Sequence, residues 1–113
     1  MKLYGIKNCD SVKKAIKFLN EHNLEYQFVD LKSQTIECDT INDWLKSVEM
    51  KKLFNSRSTT YRNLKLKELN LDDTAKIEWL CKEPMLIKRP VIELKSGSTV
   101  VGFNQDEYNQ KLL

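Results

Sequence analysis

The first part of the chain shows two different spacings of apolar residues. Residues 2–6 and residues 26–29 are short runs rich in apolar and aromatic side chains, which are typical of β-strands. Between these runs, four apolar residues recur at i, i+3, i+4 and i+7, the spacing of one helix face: Val12, Ala15, Ile16 and Leu19. The pattern predicts a strand, a helix and a strand within the length of a βαβ unit, whose two strands run parallel.

Polar residues mark both ends of this predicted helix. A polar turn from Lys7 to Asp10 follows the first strand, and Asp10 or Ser11 can cap the start of the helix. Asn23 suits the other end, because asparagine tolerates the left-handed conformation that often closes a helix. Cys9 is therefore predicted to lie in a turn between a strand and a helix.

The middle of the chain is predicted to be helical. Two groups of apolar residues there have helical spacing, namely Ile41, Trp44, Leu45 and Val48, followed by Ile77, Leu80 and Cys81. Thr40 and Asp43 resemble a capping box for the first group, and Asp72 or Asp73 can cap the second. Residues 55–63 are predicted to form a polar break between the two helical parts.

The pattern changes again after Pro90. Residues 91–94 and residues 99–103 predict two strands joined by a turn, and a terminal helix is expected from residue 104 onwards. The predicted fold class is α/β, with a thioredoxin-like mixed four-stranded sheet in the order β-α-β, helical insertion, β-β-α. We expect one domain over residues 1–113, with the all-helical insertion at about residues 36–83.

Composition and charge narrow the class of protein. Of the 113 residues, 41% are hydrophobic, which is enough to build one core. The net charge of +3 is too mild to favour a nucleic-acid or membrane partner. No apolar run has the length of a signal peptide core or a membrane span. We therefore expect a soluble cytoplasmic protein that functions as a monomer.

The cysteine pattern argues against a disulfide framework and against a metal site. Cys9, Cys38 and Cys81 are few, odd in number and widely spaced, and no C-x-x-C pair is present. His22 is the only histidine, so neither a Cys/His zinc site nor a Cys–His nucleophile pair is expected. Cys81 is predicted to pack in the core and Cys38 to lie in a polar connector. Either of them could resolve Cys9 if the fold brings it near.

Cys9 is the best candidate for a reactive residue. At a helix start, free backbone N–H groups and the helix dipole stabilise an anion and hence the nucleophilic thiolate. Lys7, Lys13 and Lys14 add positive charge nearby, whereas the carboxylate of Asp10 opposes the thiolate. The alternative is a small buried hydrophobic residue, but a polar turn is not where a core residue is expected.

The three arginines are candidate anion-binding residues. Arg57 and Arg62 lie in the polar break, and Arg89 directly precedes Pro90. The guanidinium group offers a planar fork of donors for carboxylates and oxyanions, although most arginines are solvated surface residues. An X-Pro bond that enters a strand can be cis, but the residues alone favour trans.

Three segments of the chain together resemble one known family. They are Leu-Tyr-Gly-Ile-Lys-Asn-Cys-Asp-Ser-Val-Lys-Lys-Ala at 3–15, Leu-Phe-Asn-Ser-Arg-Ser-Thr-Thr-Tyr-Arg at 53–62, and Met-Leu-Ile-Lys-Arg-Pro-Val-Ile at 85–92. They resemble the arsenate reductase (ArsC) family, which includes the Spx-type regulators, and most closely its YffB-like branch. The resemblance implies a thioredoxin-like fold with a helical insertion.

The resemblance also implies roles for individual residues. Cys9 matches the catalytic cysteine of the family, and Arg89 matches the arginine that binds the substrate oxyanion. Pro90 matches the proline that follows this arginine, which implies a cis Arg89–Pro90 bond. The candidate substrate-binding residues are Asn8, Ser11, Arg57, Arg62 and Pro90.

The chain departs from the family pattern at four places. Arsenate-reducing members carry an arginine soon after the central Leu pair, where this chain has Asn55, with Arg57 two residues further on. Arsenate-reducing members surround the cysteine with small hydroxyl and glycine residues, whereas here Asp10 follows Cys9 and should repel arsenate. Such members often carry another Arg-Pro near the end of the last strand, where this chain has residues 102–104, Gly-Phe-Asn. Spx-type regulators typically use a C-x-x-C switch, and Val12 occupies the place of its second cysteine.

Residues and resemblance together predict a thiol-dependent monothiol reductase. Cys9 would attack a disulfide or a small oxidised substrate, and an external thiol such as glutathione would resolve the mixed disulfide. Arg57 or Arg89 would anchor the carboxylates of glutathione, and no tightly bound cofactor is expected. The alternatives are a non-catalytic, Spx-like regulator of transcription and an arsenate reductase. Candidate protein partners are glutaredoxin and RNA polymerase.

Overall fold

A computed structural model describes the chain over residues 1–113. The strands are β1 (Lys2–Gly5), β2 (Gln27–Asp30), β3 (Val91–Glu93) and β4 (Thr99–Val101). The helices are α1 (Asp10–Glu21), α2 (Cys38–Trp44), α3 (Met50–Leu53), α4 (Thr59–Asn63), α5 (Asp73–Lys82) and α6 (Gln105–Leu112). Short 3₁₀ turns cover Leu66–Leu69 and Pro84–Leu86. This order confirms the predicted succession of strands and helices, with strand ends that differ by one or two residues.

The four strands form one mixed sheet in the order β2-β1-β3-β4. β1 runs parallel to β2 and antiparallel to β3, with Tyr4 opposite both Val29 and Val91. β3 runs antiparallel to β4, with Val91 opposite Val101. The predicted mixed four-stranded sheet is therefore confirmed, and β1 and β3 are its two central strands.

The sheet buries both of its faces, because successive residues along a strand point to opposite sides. One face packs against α1 and α6 through Leu3, Ile92 and Val100, together with Tyr108 of α6. The other face packs against the helices between β2 and β3; its strand residues are Tyr4, Val29, Val91 and Val101. The result is a three-layer arrangement with a separate apolar cluster on each side of the sheet. No helix combines the length and the apolar character that crossing a bilayer demands.

Gly5 allows the start of α1 to lie close against the end of β1. A Cβ atom added at Gly5 would come within 2.8 Å of Cγ2 of Val12, which is fully buried in the first turn of α1. Overpacking of this kind costs about 1–3 kcal/mol in a well-packed core. The missing side chain therefore fixes the distance between β1 and α1, and with it the position of the turn that carries Cys9.

The ends of α1 correct one prediction and confirm another. Cys9 itself is the N-cap residue, with φ −146° and ψ 124°, so neither Asp10 nor Ser11 caps the helix. The predicted cap was wrong because the helix begins directly after Cys9, which makes Asp10 its first residue. Asn23 does follow the helix in the left-handed conformation, with φ 54°, as predicted.

The middle helices also differ in part from the predictions. Asp72 caps α5 as expected, its Oδ1 accepting from Ala75 N at 2.8 Å. The capping box predicted at Thr40 is wrong, because α2 already begins at Cys38 and its N-cap residue makes no side-chain hydrogen bond. The predicted polar break contains α4, whose first turn is stabilised by Ser58 Oγ accepting from Tyr61 N at 3.1 Å.

A half-buried carboxylate connects the sheet to α2. Glu93 of β3 accepts one hydrogen bond from Tyr4 Oη at 3.1 Å and another from Trp44 Nε1 at 2.8 Å. Tyr4 is only 7% exposed and Trp44 only 1% exposed. Burial, together with the negative charge of Glu93 and its hydrogen bond, raises the pKa of Tyr4 from 10.0 to about 12.

We expect the network around Tyr4 to make stability depend on pH in the alkaline range. The folded chain keeps Tyr4 protonated to a higher pH than the unfolded chain does. The resulting stabilisation is therefore complete below about pH 10 and is lost as the pH rises towards about 12. Across this range the unfolding free energy of the wild type should fall by about 2 kcal/mol more than that of Tyr4→Phe, measured by urea denaturation.

Tyr26→Phe is the matched control for this experiment, since Tyr26 is half-buried and its hydroxyl makes no hydrogen bond within the protein. This variant should retain the alkaline loss of the wild type. The same pH dependence in Tyr4→Phe as in the wild type would show that the Tyr4–Glu93 contact does not contribute in this way.

Candidate functional site

Cys9 occupies the turn between β1 and α1. Its carbonyl accepts from Lys13 N at 2.9 Å, which closes the first turn of the helix. No side chain caps this end, so the N–H groups of Ser11 and Val12 lack the acceptor that an N-cap side chain usually provides. Cys9 is partly buried and packs against both apolar clusters. Its sulfur is thus attached at the position from which a side chain can reach the free N–H groups of the first turn.

This position can stabilise a thiolate. Free N–H groups and the dipole of the twelve-residue α1 both favour a negative charge at the helix start. Lys13 and Lys14 are exposed and add positive charge in the first turns. Asp10, the residue after Cys9, is also exposed and makes no capping hydrogen bond. Its negative charge therefore acts against the thiolate. Solvent screens this exposed charge.

Arg89 and Pro90 lie at the same end of the sheet as Cys9. β1 and β3 are antiparallel, with Tyr4 opposite Val91, so the segment that follows β1 meets the segment that precedes β3. The Arg89–Pro90 peptide bond is cis, as the family resemblance implied. Gly102, just after β4, joins the same end because its N–H donates to the carbonyl of Pro90 at 2.8 Å.

The guanidinium group of Arg89 is anchored on one side and free on the other. Its Nη1 donates to the carbonyl of Met85 at 3.1 Å and lies 3.9 Å from the Met85 sulfur. Its Nε is buried and has no hydrogen-bond partner. All ion pairs in the structure are made by lysines, so no carboxylate of the protein neutralises Arg89. Its Nη2 makes no hydrogen bond within the protein and is not among the buried unpaired atoms, so this nitrogen is the donor available to an external anion.

Arg57 lies in a loop that is tied to the segment leading to Arg89. Asn55 N donates to Leu86 O at 2.8 Å, and the side chain of Asn55 accepts from the backbone N–H of Arg57 at 3.2 Å. The side chain of Arg57 is exposed and makes no hydrogen bond within the protein. The structure thus brings the Arg57 loop next to the segment before Arg89. Neither arginine forms an ion pair with a carboxylate of the protein.

The other predicted substrate-binding residues have weaker connections to the site. Arg62 is exposed on α4, and its one side-chain hydrogen bond is local, to Thr59 Oγ1 at 3.5 Å. Asn8 is exposed and Ser11 half-buried, both beside Cys9 in the turn. Pro90 is buried at the start of β3. Three of these residues lie at the same sheet end as Cys9, namely Asn8, Ser11 and Pro90. The side chain of Arg62 makes no hydrogen bond to any residue at that end.

The structure contradicts the prediction for the other two cysteines. Cys38 and Cys81 form a disulfide, with Cα atoms 5.3 Å apart, and Cys9 is the free cysteine. The two residues are 43 positions apart in sequence and meet because α2 packs against α5. Sequence spacing contains no signal for such a pair, since tertiary packing brings it together. While this bond is closed, neither cysteine is available to resolve a mixed disulfide at Cys9.

A cavity of about 440 Å³ lies at the opposite end of the sheet from Cys9. Its apolar lining residues are Met1, Leu24, Leu94 and Leu112. The first three lie just before β1, shortly after α1 and just after β3, and the fourth ends α6, whereas Cys9 follows the other end of β1. The cavity is therefore separate from the Cys9 end of the sheet.

Comparison with known proteins gives matches along nearly the whole chain. A family model described as the ArsC family matches residues 4–111. An uncharacterised protein of Haemophilus influenzae is 42% identical over 107 residues, covering 94% of this chain and 93% of that protein. The global transcriptional regulator Spx of Listeria innocua is 30% identical over 112 residues, covering 97% of this chain and 85% of Spx. A solved structure of a YFFB protein is 39% identical, with a TM-score of 0.90, covering 99% of this chain and 98% of that one.

We expect Cys9 to be the cysteine that reacts first in the native protein. Without a reducing agent, N-ethylmaleimide should add one label, at Cys9, because the other two sulfurs are bonded to each other. Cys9→Ser should take up no label under the same conditions. Peptide mass spectrometry would locate the label, and the wild type unfolded in reductant should gain labels at all three cysteines. A native label at Cys38 or Cys81 would contradict this assignment.

Proposed function

The chain belongs to the ArsC family, and from that premise we propose that it is a thiol-dependent monothiol reductase with Cys9 as nucleophile. The observation that carries the proposal is the place of Cys9, as the N-cap residue of α1 with no side chain capping the helix. A thiolate there can accept hydrogen bonds from the first-turn N–H groups, which favours the nucleophilic form.

The proposed reaction is thiol–disulfide exchange with a glutathione-type mixed disulfide. The Cys9 thiolate attacks the glutathione sulfur, a new S–S bond forms, and the substrate sulfur leaves as a thiolate that takes up a proton. The sequence provides no C-x-x-C partner for Cys9, so no neighbouring cysteine in the same motif can resolve the mixed disulfide. An external glutathione thiolate therefore attacks the mixed disulfide, which releases glutathione disulfide and restores the Cys9 thiolate. Each substrate disulfide is reduced by two electrons in all, and the proposal needs no tightly bound cofactor.

Arg89 is proposed to hold a carboxylate of the glutathione unit. Its Nη2 has no hydrogen-bond partner within the protein, and no protein carboxylate forms an ion pair with Arg89. Arg57, exposed in the neighbouring loop, is the second candidate for this role. Arginine suits carboxylates because its planar fork can donate two parallel hydrogen bonds.

We expect Arg89→Lys to slow exchange between Cys9 and glutathione disulfide by roughly ten- to a hundredfold. Lysine keeps the positive charge but lacks the planar pair of donors of the guanidinium group. The loss of one charge-assisted hydrogen bond costs about 1.5–3 kcal/mol. Stopped-flow kinetics would measure the rate, with circular dichroism confirming the fold. The rate of exchange with a neutral disulfide, bis(2-hydroxyethyl) disulfide, should change much less, because this substrate has no carboxylate for Arg89 to bind.

Arg62→Lys is the matched control, as Arg62 is an exposed arginine whose only side-chain hydrogen bond is local. This variant should exchange at the wild-type rate. An unchanged rate in Arg89→Lys would remove Arg89 from the site and leave Arg57 as the anchor. Turnover that persists in Cys9→Ser would overturn the proposed function itself.

We expect little or no arsenate reductase activity. Asp10 directly follows Cys9 and would repel an arsenate anion approaching the sulfur. The sheet end also lacks the late arginine of arsenate-reducing relatives, because Gly102 and Phe103 stand there. An assay coupled to glutathione and glutaredoxin would measure arsenate turnover. Robust reduction of arsenate would contradict the proposed substrate class.

A second candidate function is a transcription-regulating binding protein. The similarity to the Listeria regulator, 30% identity over 97% of this chain, favours it. A C-x-x-C switch is not available for such a role, because the buried Val12 stands in its second position. A stable complex with RNA polymerase that forms equally with Cys9→Ser, together with no turnover of disulfides, would favour this candidate over the reductase.

A further inference from the structure

A second sulfur site lies among the helices between β2 and β3. Cys38 is the first residue of α2, and Cys81 lies in the last turn of α5. Their Cα atoms are 5.3 Å apart, within the range that a disulfide spans without movement of the backbone. The helices therefore present the two sulfurs to each other in a geometry from which the bond can close and open.

The two cysteine residues differ in their exposure to solvent. Cys38 is exposed, as are the residues on either side of it, Glu37 and Asp39. Cys81 is half-buried and packs against the apolar cluster on this side of the sheet. A thiolate attacks a disulfide along the S–S axis, from the side opposite the leaving sulfur. An external thiol can thus approach the Cys38 sulfur from solvent, with Cys81 as the leaving group.

The released Cys81 has a hydrogen-bond partner in place. Its sulfur lies 3.0 Å from the carbonyl oxygen of Ile77, one turn earlier in α5. When the sulfur leaves and takes up a proton, the new thiol can donate to this carbonyl without any rearrangement of the helix. The open state is therefore also accommodated by the existing backbone.

The packing of α2 against α5 does not depend on the sulfur bond alone. Ile41 and Trp44 of α2 and Leu80 of α5 are at most 1% exposed and share one apolar cluster. Burial of such side chains contributes about 1.5–3 kcal/mol each. The two helices are held together whether the disulfide is open or closed, which is what a reversible site requires.

We propose that Cys38 and Cys81 form a reversible dithiol–disulfide site, separate from Cys9, that exchanges with low-molecular-weight thiols and disulfides. A thiolate attacks the Cys38 sulfur, a mixed disulfide forms there, and Cys81 leaves and is protonated. A second thiolate then attacks the mixed disulfide, releasing Cys38 as a thiolate and the two small thiols as their disulfide. Two electrons pass from the small thiols to the protein, and the same steps in reverse close the bond.

The test uses Cys9→Ser, which retains only this pair and is therefore independent of the proposed function of Cys9. The protein is equilibrated in mixtures of glutathione and glutathione disulfide, quenched with acid, alkylated and analysed by mass spectrometry. We expect a transition from no alkylated cysteine to two as the mixture becomes more reducing. Any trapped glutathione should be found on Cys38 and not on Cys81.

Two double variants provide a matched comparison of the sulfurs. Cys9→Ser combined with Cys81→Ser leaves only the exposed Cys38, and Cys9→Ser combined with Cys38→Ser leaves only the half-buried Cys81. With glutathione disulfide as the donor, Cys38 should become glutathionylated at least tenfold faster than Cys81. Closing the bond in Cys9→Ser should also raise Tm by on the order of 10 °C. That gain should be absent from the variant without Cys38.

Several results would overturn the proposal. A pair that stays bonded in excess glutathione would be a fixed structural disulfide, and a pair that stays open in glutathione disulfide alone would not be a redox site. Trapped glutathione on Cys81 would contradict the order of attack. Each result concerns a protein without Cys9, so it leaves the reductase proposal unaffected, just as inactivity at Cys9 leaves this one standing.

Discussion

The antiparallel pairing of β1 with β3 is the constraint on which the candidate site depends. It sets the turn after β1, with Cys9, at the same sheet end as the segment before β3, with Arg89 and Pro90. A slip of one residue in this pairing would exchange the two faces of a strand, so that Leu3 and Tyr4 would each meet the wrong apolar cluster. The packing that selects the register thus also selects which residues surround Cys9.

Core packing and site geometry are therefore parts of one arrangement. Cys9 contacts the apolar clusters on both sides of the sheet, so the packing of both clusters contributes to its position. The bare Cα of Gly5 sets the separation of β1 and α1, and the carboxylate of Glu93 joins both central strands to α2 through Tyr4 and Trp44. A carboxylate that accepts a hydrogen bond on each oxygen at such a junction fixes orientation in a way that apolar contacts alone do not.

The sequence was informative where structure follows from local spacing and less so where it follows from tertiary packing. The strands, α1 and the cap at Asp72 were predictable because their signals lie within a few residues of each other. The role of Cys9 as N-cap residue was missed, since cysteine carries none of the preferences by which capping residues are recognised. The pairing of Cys38 with Cys81 depends on α2 meeting α5, which no local pattern encodes. The location of Cys9 and Arg89 at one sheet end is set by the pairing of β1 with β3, and the cis bond at Arg89 was implied by the family resemblance.

The charges at the site favour a substrate whose negative charge lies away from the reacting atom. Arsenate carries its charge on the group that the sulfur attacks, so reaction would hold that charge beside the carboxylate of Asp10. A glutathione disulfide reacts at a neutral sulfur and carries its carboxylates several bonds away from it, where the proposed anchor, the guanidinium group of Arg89, would bind them. Coulomb repulsion falls with distance and is screened by solvent. The distance between the carboxylates of glutathione and its reacting sulfur therefore weakens their repulsion by Asp10, while their attraction to the proposed arginine anchor is kept. The same acidic residue that argues against arsenate reduction is therefore compatible with the proposed thiol–disulfide exchange.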